Sequence, residues 1–243
     1  MKLQSSTNMA ISLSLIALLV FMPQTCSGAK IWADDFDDGN YDDWIVVIGN
    51  FTAENGMLQA NGQETNGILH ESNIAFGTWR FDIYAVHSSI IVSFITGDSD
   101  APDGPYRYFL KINPEPAPLE YNDDIFTGYA LCKAGLDAGV MDTYETDLGI
   151  IGQHHIDIMR NTTGGIRVHI DGVLRLSAGS LSYRDQSENF TLGCPIGCAI
   201  DNVFVYDTEE SPFPPPASPL GWFVIGGGSV VLVILVVIVL KRR

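Results

Sequence analysis

The stretch Ile166-Arg-Val-His-Ile-Asp-Gly-Val-Leu-Arg-Leu176 carries the clearest structural signal in this chain of 243 residues. Its first five residues alternate in polarity, so Ile166, Val168 and Ile170 point to one face of a β-strand and the residues between them to the other. The dipeptide Asp171-Gly172 favours a two-residue hairpin turn, because both of its positions need a positive φ. The stretch therefore predicts a β-hairpin with one buried face.

Short β signals bounded by turn residues recur between residues 31 and 206, and no amphipathic helix is evident there. Asn55-Gly56 is a second two-residue turn, and residues 161–165 form a longer hairpin loop. So many short strands require two packed sheets, and the predicted fold class is all-β. Fourteen strands are predicted: Ile31–Phe36, Trp44–Ile48, Phe51–Glu54, Met57–Ala60, Gly67–His70, Thr78–Val86, Ile90–Thr96, Tyr106–Ile112, Thr127–Lys133, His154–Arg160, Ile166–Asp171, Val173–Leu176, Phe190–Cys194 and Ala199–Tyr206.

An uncharged run of 21 residues, from Leu220 to Leu240, lies near the end of the chain, and Lys241-Arg242-Arg243 follows it. At about 1.5 Å per residue, a helix of this length spans roughly 30 Å, the thickness of the hydrocarbon core of a bilayer. Basic flanks stay on the cytoplasmic side of a membrane. The pattern predicts a C-terminal transmembrane helix over 220–240 and a cytoplasmic basic tail over 241–243.

The N-terminal residues have the pattern of a secretory signal peptide. Lys2 precedes an apolar run from Met9 to Met22, and the small residues Ser27-Gly28-Ala29 follow. We assign residues 1–29 to the signal peptide, residues 30–207 to one exported domain and residues 208–219 to a proline-rich linker of extended geometry. We expect a single-pass protein at the cell surface, with the N-terminal domain outside and the C-terminus in the cytoplasm.

The charge of the exported part restricts its partners. The exported part contains all 29 Asp and Glu residues, which lie between Asp34 and Glu210, and nine of the 13 Lys and Arg residues, of which Lys30 is the first, so it carries a net charge of −20. A negative field of this size argues against nucleic acid and anionic lipid as ligands. It favours cations, neutral sugars or a basic partner, and solubility alone is the simpler explanation of the same charge.

Two groups of motifs, near the two ends of the exported domain, carry a family resemblance. They are Asp34-Asp-Phe-Asp-Asp-Gly39, Trp44, Gly49-Asn-Phe51 and Glu54-Asn-Gly-Met-Leu58 at the beginning, and His154-His-Ile-Asp-Ile158, Gly165-Ile-Arg-Val-His-Ile-Asp-Gly172 and Ala199-Ile-Asp-Asn-Val203 at the end. In this order they resemble the concanavalin A-like lectin/glucanase superfamily, of the laminin-G-like kind. The resemblance implies a two-sheet antiparallel jelly-roll sandwich, which in many members binds carbohydrate.

Catalysis is not expected from these residues. Glucanases of this superfamily carry Glu-x-Asp-x-x-Glu on one strand, which places the nucleophile and the acid on one face. That motif is absent from the sequence; the nearest match is Glu145-Thr-Asp147, in a predicted loop, with Ile150 at the third acidic position. Glu145 and Asp147 remain the weak catalytic alternative. A non-catalytic binding module is the expectation, with a glycoside hydrolase of the same fold or a protein-binding adhesion module as alternatives.

The expected ligand is a glycan or a cell-envelope polysaccharide, and a surface protein is the alternative partner. Aromatic rings stack on the apolar faces of sugars. Four tyrosines near the acidic loops are candidates for this role: Tyr106, Tyr108, Tyr121 and Tyr129.

Calcium is the expected cofactor, at two sets of oxygen ligands. The first set is the loop that contains Asp98, Asp100 and Asp103. The second is implied by the resemblance, since relatives often hold a structural calcium where the first and last strands meet; it comprises Asp35, the backbone around Gly49, and Asp201. The alternative is that these acidic residues only form solvated turns.

Three cysteines remain after removal of the signal peptide, Cys132, Cys194 and Cys198, and two of them are expected to pair outside the cell. A disulfide between Cys194 and Cys198 is favoured, and a bond from Cys132 to either is the alternative.

Three sequons permit glycosylation, at Asn50, Asn161 and Asn189. Asn161 is expected to be the most accessible of them because it lies in a hairpin loop, whereas Asn50 is expected to be occluded because it lies beside a possible calcium ligand.

Overall fold

The computed structural model describes residues 29–62, 64–97, 106–118, 125–135, 138–146, 150–179 and 187–208. They form fifteen strands: β1 Lys30–Asp34, β2 Trp44–Ile48, β3 Phe51–Glu54, β4 Met57–Ala60, β5 Asn66–Glu71, β6 Gly77–Ala85, β7 Ile90–Gly97, β8 Tyr106–Pro118, β9 Ile125–Ala134, β10 Gly139–Glu145, β11 Gly152–Arg160, β12 Ile166–Ile170, β13 Val173–Ala178, β14 Asn189–Cys194 and β15 Ala199–Tyr206. Among these residues there is no helix with the length and apolarity to cross a bilayer. The predicted signal peptide up to residue 28 and the predicted linker, transmembrane helix and tail beyond residue 208 lie outside them.

The strands form two sheets that pack face to face. The eight-stranded sheet has the order β13-β12-β11-β6-β15-β4-β3, with β1 paired to β15. The seven-stranded sheet has the order β10-β9-β8-β7-β14-β5-β2. The pairings are antiparallel throughout. The predicted all-β, two-sheet antiparallel sandwich is confirmed.

Strand alternation determines which side chains fill the space between the sheets. On the central strand β6, Trp79, Phe81 and Ile83 are fully buried, and the side chains between them point away from the core. On β12, Ile166, Val168 and Ile170 are buried as predicted. The core therefore follows the two-residue period that the sequence shows.

Both predicted two-residue turns have the backbone conformation that they require. The φ angles are 56° at Asn55 and 73° at Gly56, and 52° at Asp171 and 76° at Gly172. Asn, Asp and Gly tolerate this left-handed region better than other residues do, which is why the dipeptides identify the hairpins.

Two strands differ from the prediction. The strand β10 was not predicted, because it is an edge strand whose residues are mostly half-buried, so its polarity alternates weakly. As a result, Glu145 ends a strand instead of lying in a loop. The strand β8 continues to Pro118, and an irregularity in its pairing with β9 between Asn113 and Ala117 accommodates the prolines of that segment.

Candidate functional site

The outer face of the eight-stranded sheet carries a polar surface at its centre. The side chains on this face come from the alternate positions of β6 and β11 that point away from the core, and the register sets them opposite one another in three pairs. We call these three pairs the polar platform: Arg80 with Asp157, Asp82 with His155, and Tyr84 with Gln153.

One end of the platform is a buried ion pair. Arg80 donates from Nε to Oδ1 of Asp157 at 2.6 Å and from Nη2 to Oδ2 at 3.2 Å. The two side chains are only 9% and 10% exposed, so this bidentate contact is shielded from solvent. Burial opposes ionisation of Asp157, but the contact with His155 and the hydrogen bonds from Arg80 outweigh it and keep the pKa of Asp157 below its ordinary value.

The middle of the platform is an imidazolium between two carboxylates. His155 donates from Nδ1 to Oδ1 of Asp82 at 2.6 Å, while its Nε2 lies 3.7 Å from Oδ2 of Asp157, an ion-pair contact longer than a hydrogen bond. Asp157 and Asp82 together raise the pKa of His155 to about 9, against the opposing effect of burial. His155 is therefore charged at neutral pH.

An amide and a further carboxylate extend this network onto β15. Asn202 donates from Nδ2 to Oδ2 of Asp82 at 3.0 Å and to Oδ2 of Asp201 at 2.9 Å. Burial raises the pKa of Asp201, and the nearby carboxylates of Asp82, Asp37 and Asp35 raise it further. The network fixes the side chains beside the open end of the platform.

The open end of the platform presents an aromatic ring between amides. Tyr84 is 45% exposed, and among the described residues it is the only Phe, Tyr or Trp more than about a third exposed. On one side, Tyr84 lies opposite Gln153 of β11. On its other side it lies opposite Ala199 of β15, and Ala199 in turn lies opposite Gln59 of β4. Both glutamines are exposed. This row combines an apolar ring face with neutral hydrogen-bonding groups on a flat surface.

The tyrosines that the sequence suggested as sugar ligands do not form such a surface. Tyr108 and Tyr129 are 4% and 1% exposed and lie between the sheets, and Tyr106 packs against the same core. Tyr121 lies outside the described residues. Burial is incompatible with the stacking role predicted for Tyr108 and Tyr129, because strand alternation directs their rings into the sandwich. For the half-buried Tyr106 and for Tyr121 the role stays a prediction.

The residues of the second predicted calcium set are only partly brought together. Asp35 lies close enough to Asp201 to influence its ionisation, whereas Gly49 follows β2 in the seven-stranded sheet and packs on Asn66 of the neighbouring strand β5. In the described part of the chain, no three His, Cys, Asp or Glu side chains are arranged to hold a metal ion. The loop with Asp98, Asp100 and Asp103 lies outside that part, so calcium stays a prediction.

The acidic segment that follows β1 lines a depression of about 250 Å³. Several of its carboxylates accept backbone hydrogen bonds from residues two positions later: Asp34 from Phe36 at 2.9 Å, and Asp38 from Asn40 at 2.8 Å. These bonds are those of turn-forming aspartates.

Cys132, Cys194 and Cys198 are buried, and the favoured disulfide between Cys194 and Cys198 is not formed in this structure. The favoured pair is nevertheless the pair that the fold brings together, since Cys194 ends β14 and a short turn leads to Cys198. The hydrogen bond that the Cys198 thiol donates to Cys194 raises the pKa of Cys198, and burial raises it further. Cys132 belongs to a separate apolar cluster with Phe109 and Phe126.

The three sequons differ from expectation in accessibility. Asn50 is exposed, whereas Asn161 and Asn189 are half-buried. Asn161 is partly covered because its Oδ1 accepts the backbone N–H of Gly165 at 2.7 Å and the hydroxyl of Thr163 at 2.8 Å within the loop. The predicted order of accessibility for Asn161 and Asn50 is therefore reversed.

For the weak catalytic alternative, the structure describes Glu145 only. Glu145 is exposed at the end of β10, and the residue opposite it on β9 is Gly128. Asp147 lies outside the described residues.

Comparison with known proteins identifies relatives of the fold only. No protein-family model and no curated protein matches the chain. Among solved structures, the carbohydrate binding module CBM66 from Bacillus subtilis is 18% identical in sequence to this chain. The match covers 68% of this chain and 95% of the CBM66 chain, with a TM-score of 0.51. A laminarinase from Flavobacterium sp. UMI-01 is 16% identical. The match covers 73% of this chain and 100% of the laminarinase chain, with a TM-score of 0.54.

A third similar structure is a Bacillus subtilis protein of unknown function with a galectin-like fold. It is 10% identical, and the match covers 76% of this chain and 98% of the Bacillus subtilis chain, with a TM-score of 0.57. At these identities the likeness is one of fold. The chain thus has a concanavalin A/galectin-like jelly-roll fold, which carbohydrate-binding modules share with glucanases.

Proposed function

We propose that this protein is a cell-surface module that binds neutral glycans without cleaving them. The observation that carries the proposal is the open end of the polar platform, where the single well-exposed aromatic ring of the described residues, Tyr84, lies between Gln153 and Gln59. The solved structures of similar fold, which include carbohydrate-binding modules, agree with this function.

The chemistry of this row fits a sugar ring. A pyranose presents an apolar C–H face that packs on an aromatic ring, with hydroxyl groups around its edge. Each glutamine amide both donates and accepts hydrogen bonds, so Gln153 and Gln59 suit hydroxyls, which also do both. Ala199 lies between Tyr84 and Gln59, so the ring and this amide are two strand spacings apart, roughly 10 Å.

The charge of the protein favours neutral glycans over anionic ones. Asp82 and Asp201 lie one row from Tyr84, and the exported part carries 29 acidic residues against nine basic ones. A uronic acid or a sulfated sugar approaching Tyr84 would meet this negative field.

Display on a membrane completes the proposal and is supported by the sequence. The apolar run over 220–240 would anchor the chain, and the acidic and proline-rich segment over 208–219 would hold the sandwich away from the bilayer. The platform would then face ligands outside the cell.

Substitution of Tyr84 tests the binding surface. We expect Tyr84→Ala to weaken binding of a neutral oligosaccharide by about tenfold or more, equivalent to about 1.4 kcal/mol, because the stacking face is lost. Calorimetric titration of the full chain in lipid nanodiscs measures this change. Leu174→Ala is the matched control, since Leu174 is 49% exposed and lies on β13 of the same sheet, three strands (roughly 14 Å) from Tyr84.

If the wild type and Tyr84→Ala bound the oligosaccharide with equal affinity, the binding site would lie elsewhere than on the platform. Binding of a surface protein, with no glycan bound by the wild type, would favour the adhesion alternative.

A hydrolysis assay separates binding from catalysis. We expect the wild-type chain to release no reducing ends from neutral β-glucans, because the sequence lacks the Glu-x-Asp-x-x-Glu motif and the residue opposite Glu145 on β9 is Gly128. Release of sugar by the wild type that falls by orders of magnitude in Glu145→Gln would establish a glycosidase instead.

A further inference from the structure

Five residues form a continuous row across the outer face of the eight-stranded sheet. The register pairs Thr52 with Gln59, Gln59 with Ala199, Ala199 with Tyr84, and Tyr84 with Gln153. Directly opposite residues of paired strands point to the same face of a sheet, so all five lie on the face of Tyr84. We call them the cross-strand row. It crosses five strands with four spacings between them, a length of roughly 19 Å.

The cross-strand row carries neutral hydrogen-bonding groups on both sides of its aromatic ring. Gln59 and Gln153 are exposed, and each amide both donates and accepts hydrogen bonds. At the far end of the row, Nδ2 of Asn61 donates to Oγ1 of Thr52, so the Thr52 hydroxyl keeps its proton for another acceptor. These groups extend well past the area that a single sugar on Tyr84 would cover.

The same chemistry does not continue along the strand that carries Tyr84. Two positions before it on β6, the carboxylate of Asp82 already accepts hydrogen bonds from His155 at 2.6 Å and from Asn202 at 3.0 Å. Two positions after it lies Val86, an apolar side chain that packs against the core. A ligand that extends beyond the ring of Tyr84 therefore meets neutral hydrogen-bonding groups across the strands and not along them.

Both ends of the cross-strand row are open. Thr52 lies on β3, the terminal strand of its sheet. At the other end, the pairing of β11 with β12 extends only to Ile156, and the chain turns at Asp171-Gly172 before it reaches Gln153. In the described part of the chain no strand continues the row past either end. A ligand longer than the row can therefore pass over both ends.

We propose that the cross-strand row binds an internal segment of a linear neutral polysaccharide, with the sugar chain running across the strands. This inference rests on the proposed glycan binding and narrows the ligand of that same site. A pyranose unit of an extended chain is about as long as one strand spacing, so the row accommodates about four units. One unit stacks on Tyr84, and the units beside it reach Gln153 on one side and Gln59 on the other.

The affinity should therefore depend on the length of the oligosaccharide. Calorimetric titration of the full chain in lipid nanodiscs would use neutral gluco-, manno- and xylo-oligosaccharides, each from the disaccharide to the hexasaccharide. In a series that binds, we expect the affinity to rise at least about tenfold from the disaccharide to the tetrasaccharide, and less than about threefold beyond it. A disaccharide that binds as tightly as the hexasaccharide would indicate recognition of a chain end or a single sugar and would overturn the proposal.

The variant Gln59→Ala tests the path of the glycan. Gln59 lies two strand spacings, roughly 10 Å, from Tyr84, beyond a disaccharide that covers Tyr84 and Gln153. The variant should bind the tetrasaccharide about fivefold more weakly, because a hydrogen bond is lost, and the disaccharide as tightly as the wild type does. Unchanged disaccharide binding also shows that the variant is folded. Equal tetrasaccharide affinities for the wild type and Gln59→Ala would contradict a glycan laid across the strands.

These outcomes separate this inference from the function on which it rests. If the wild type binds no neutral oligosaccharide, the proposed function fails, and this inference fails with it. If oligosaccharides bind through Tyr84 but their affinity depends neither on length nor on Gln59, glycan binding stands and only the inference of an internal segment fails.

Discussion

Replacing Asp157 with alanine should lower the free energy of unfolding by about 3–5 kcal/mol, because the guanidinium of Arg80 would stay buried without its carboxylate. The two side chains are 9% and 10% exposed and meet in a bidentate contact. Removal of Asp157 also takes away one of the two carboxylates beside His155. Chemical denaturation of the wild type and the variant at one pH measures the loss.

The double variant Arg80→Met with Asp157→Leu is the matched control. It removes both charges and keeps side chains of similar volume, so it should be considerably more stable than Asp157→Ala alone. If Asp157→Ala cost less than about 1 kcal/mol, the pair would behave as a surface salt bridge, and the buried network described above would be wrong.

The stability of the domain should fall as the pH rises from about 6.5 to about 9. The pKa of His155 is raised to about 9 in the folded protein by Asp157 and Asp82, above its ordinary value of 6.5. The stabilisation from this raised pKa is fully present below pH 6.5 and is lost as the pH passes through 9. It amounts to about 2 kcal/mol after allowance for partial exposure of the ring.

The variant His155→Gln isolates this effect. The other charged or titratable groups around His155 include Arg80 and Asp82 on β6, Asp157 on β11 and His169 on β12, whose pKa is lowered by burial. Asp171 lies beside them, and its Oδ1 accepts the backbone N–H of His155 at 3.0 Å. All of them remain in the variant. Melting temperatures measured from pH 6 to pH 9.5 should decline less in His155→Gln than in the wild type. Parallel curves would show that His155 does not carry this dependence.

The sequence predicted the fold well where local chemistry determines it. The turns Asn55-Gly56 and Asp171-Gly172 identify their hairpins because few other residues accept a positive φ at both positions. Alternation identified the buried face of β12. It could not do so for β8, where Tyr108 and Phe109 are both buried because that strand is covered on both faces.

The functional surface was harder to predict because it depends on pairing between distant strands. Alternation in residues 79–84 places Arg80, Asp82 and Tyr84 on one face of β6, a signal that the sequence contains. The partners of that face on β11 follow from the register, which sets Tyr84 opposite Gln153 across almost 70 positions of the chain. The sequence shows neither this register nor which tyrosines remain open to solvent.

Glycan binding by the displayed protein is tested most directly with an array of neutral and anionic oligosaccharides. The full chain in labelled lipid nanodiscs would be applied to the array, with Tyr84→Ala in parallel. We expect the wild type to bind one or more neutral glycans, with no preference for uronic acid or sulfated sugars, and Tyr84→Ala to lose that signal. An absence of bound glycan, or binding restricted to anionic sugars and unchanged in Tyr84→Ala, would contradict the account.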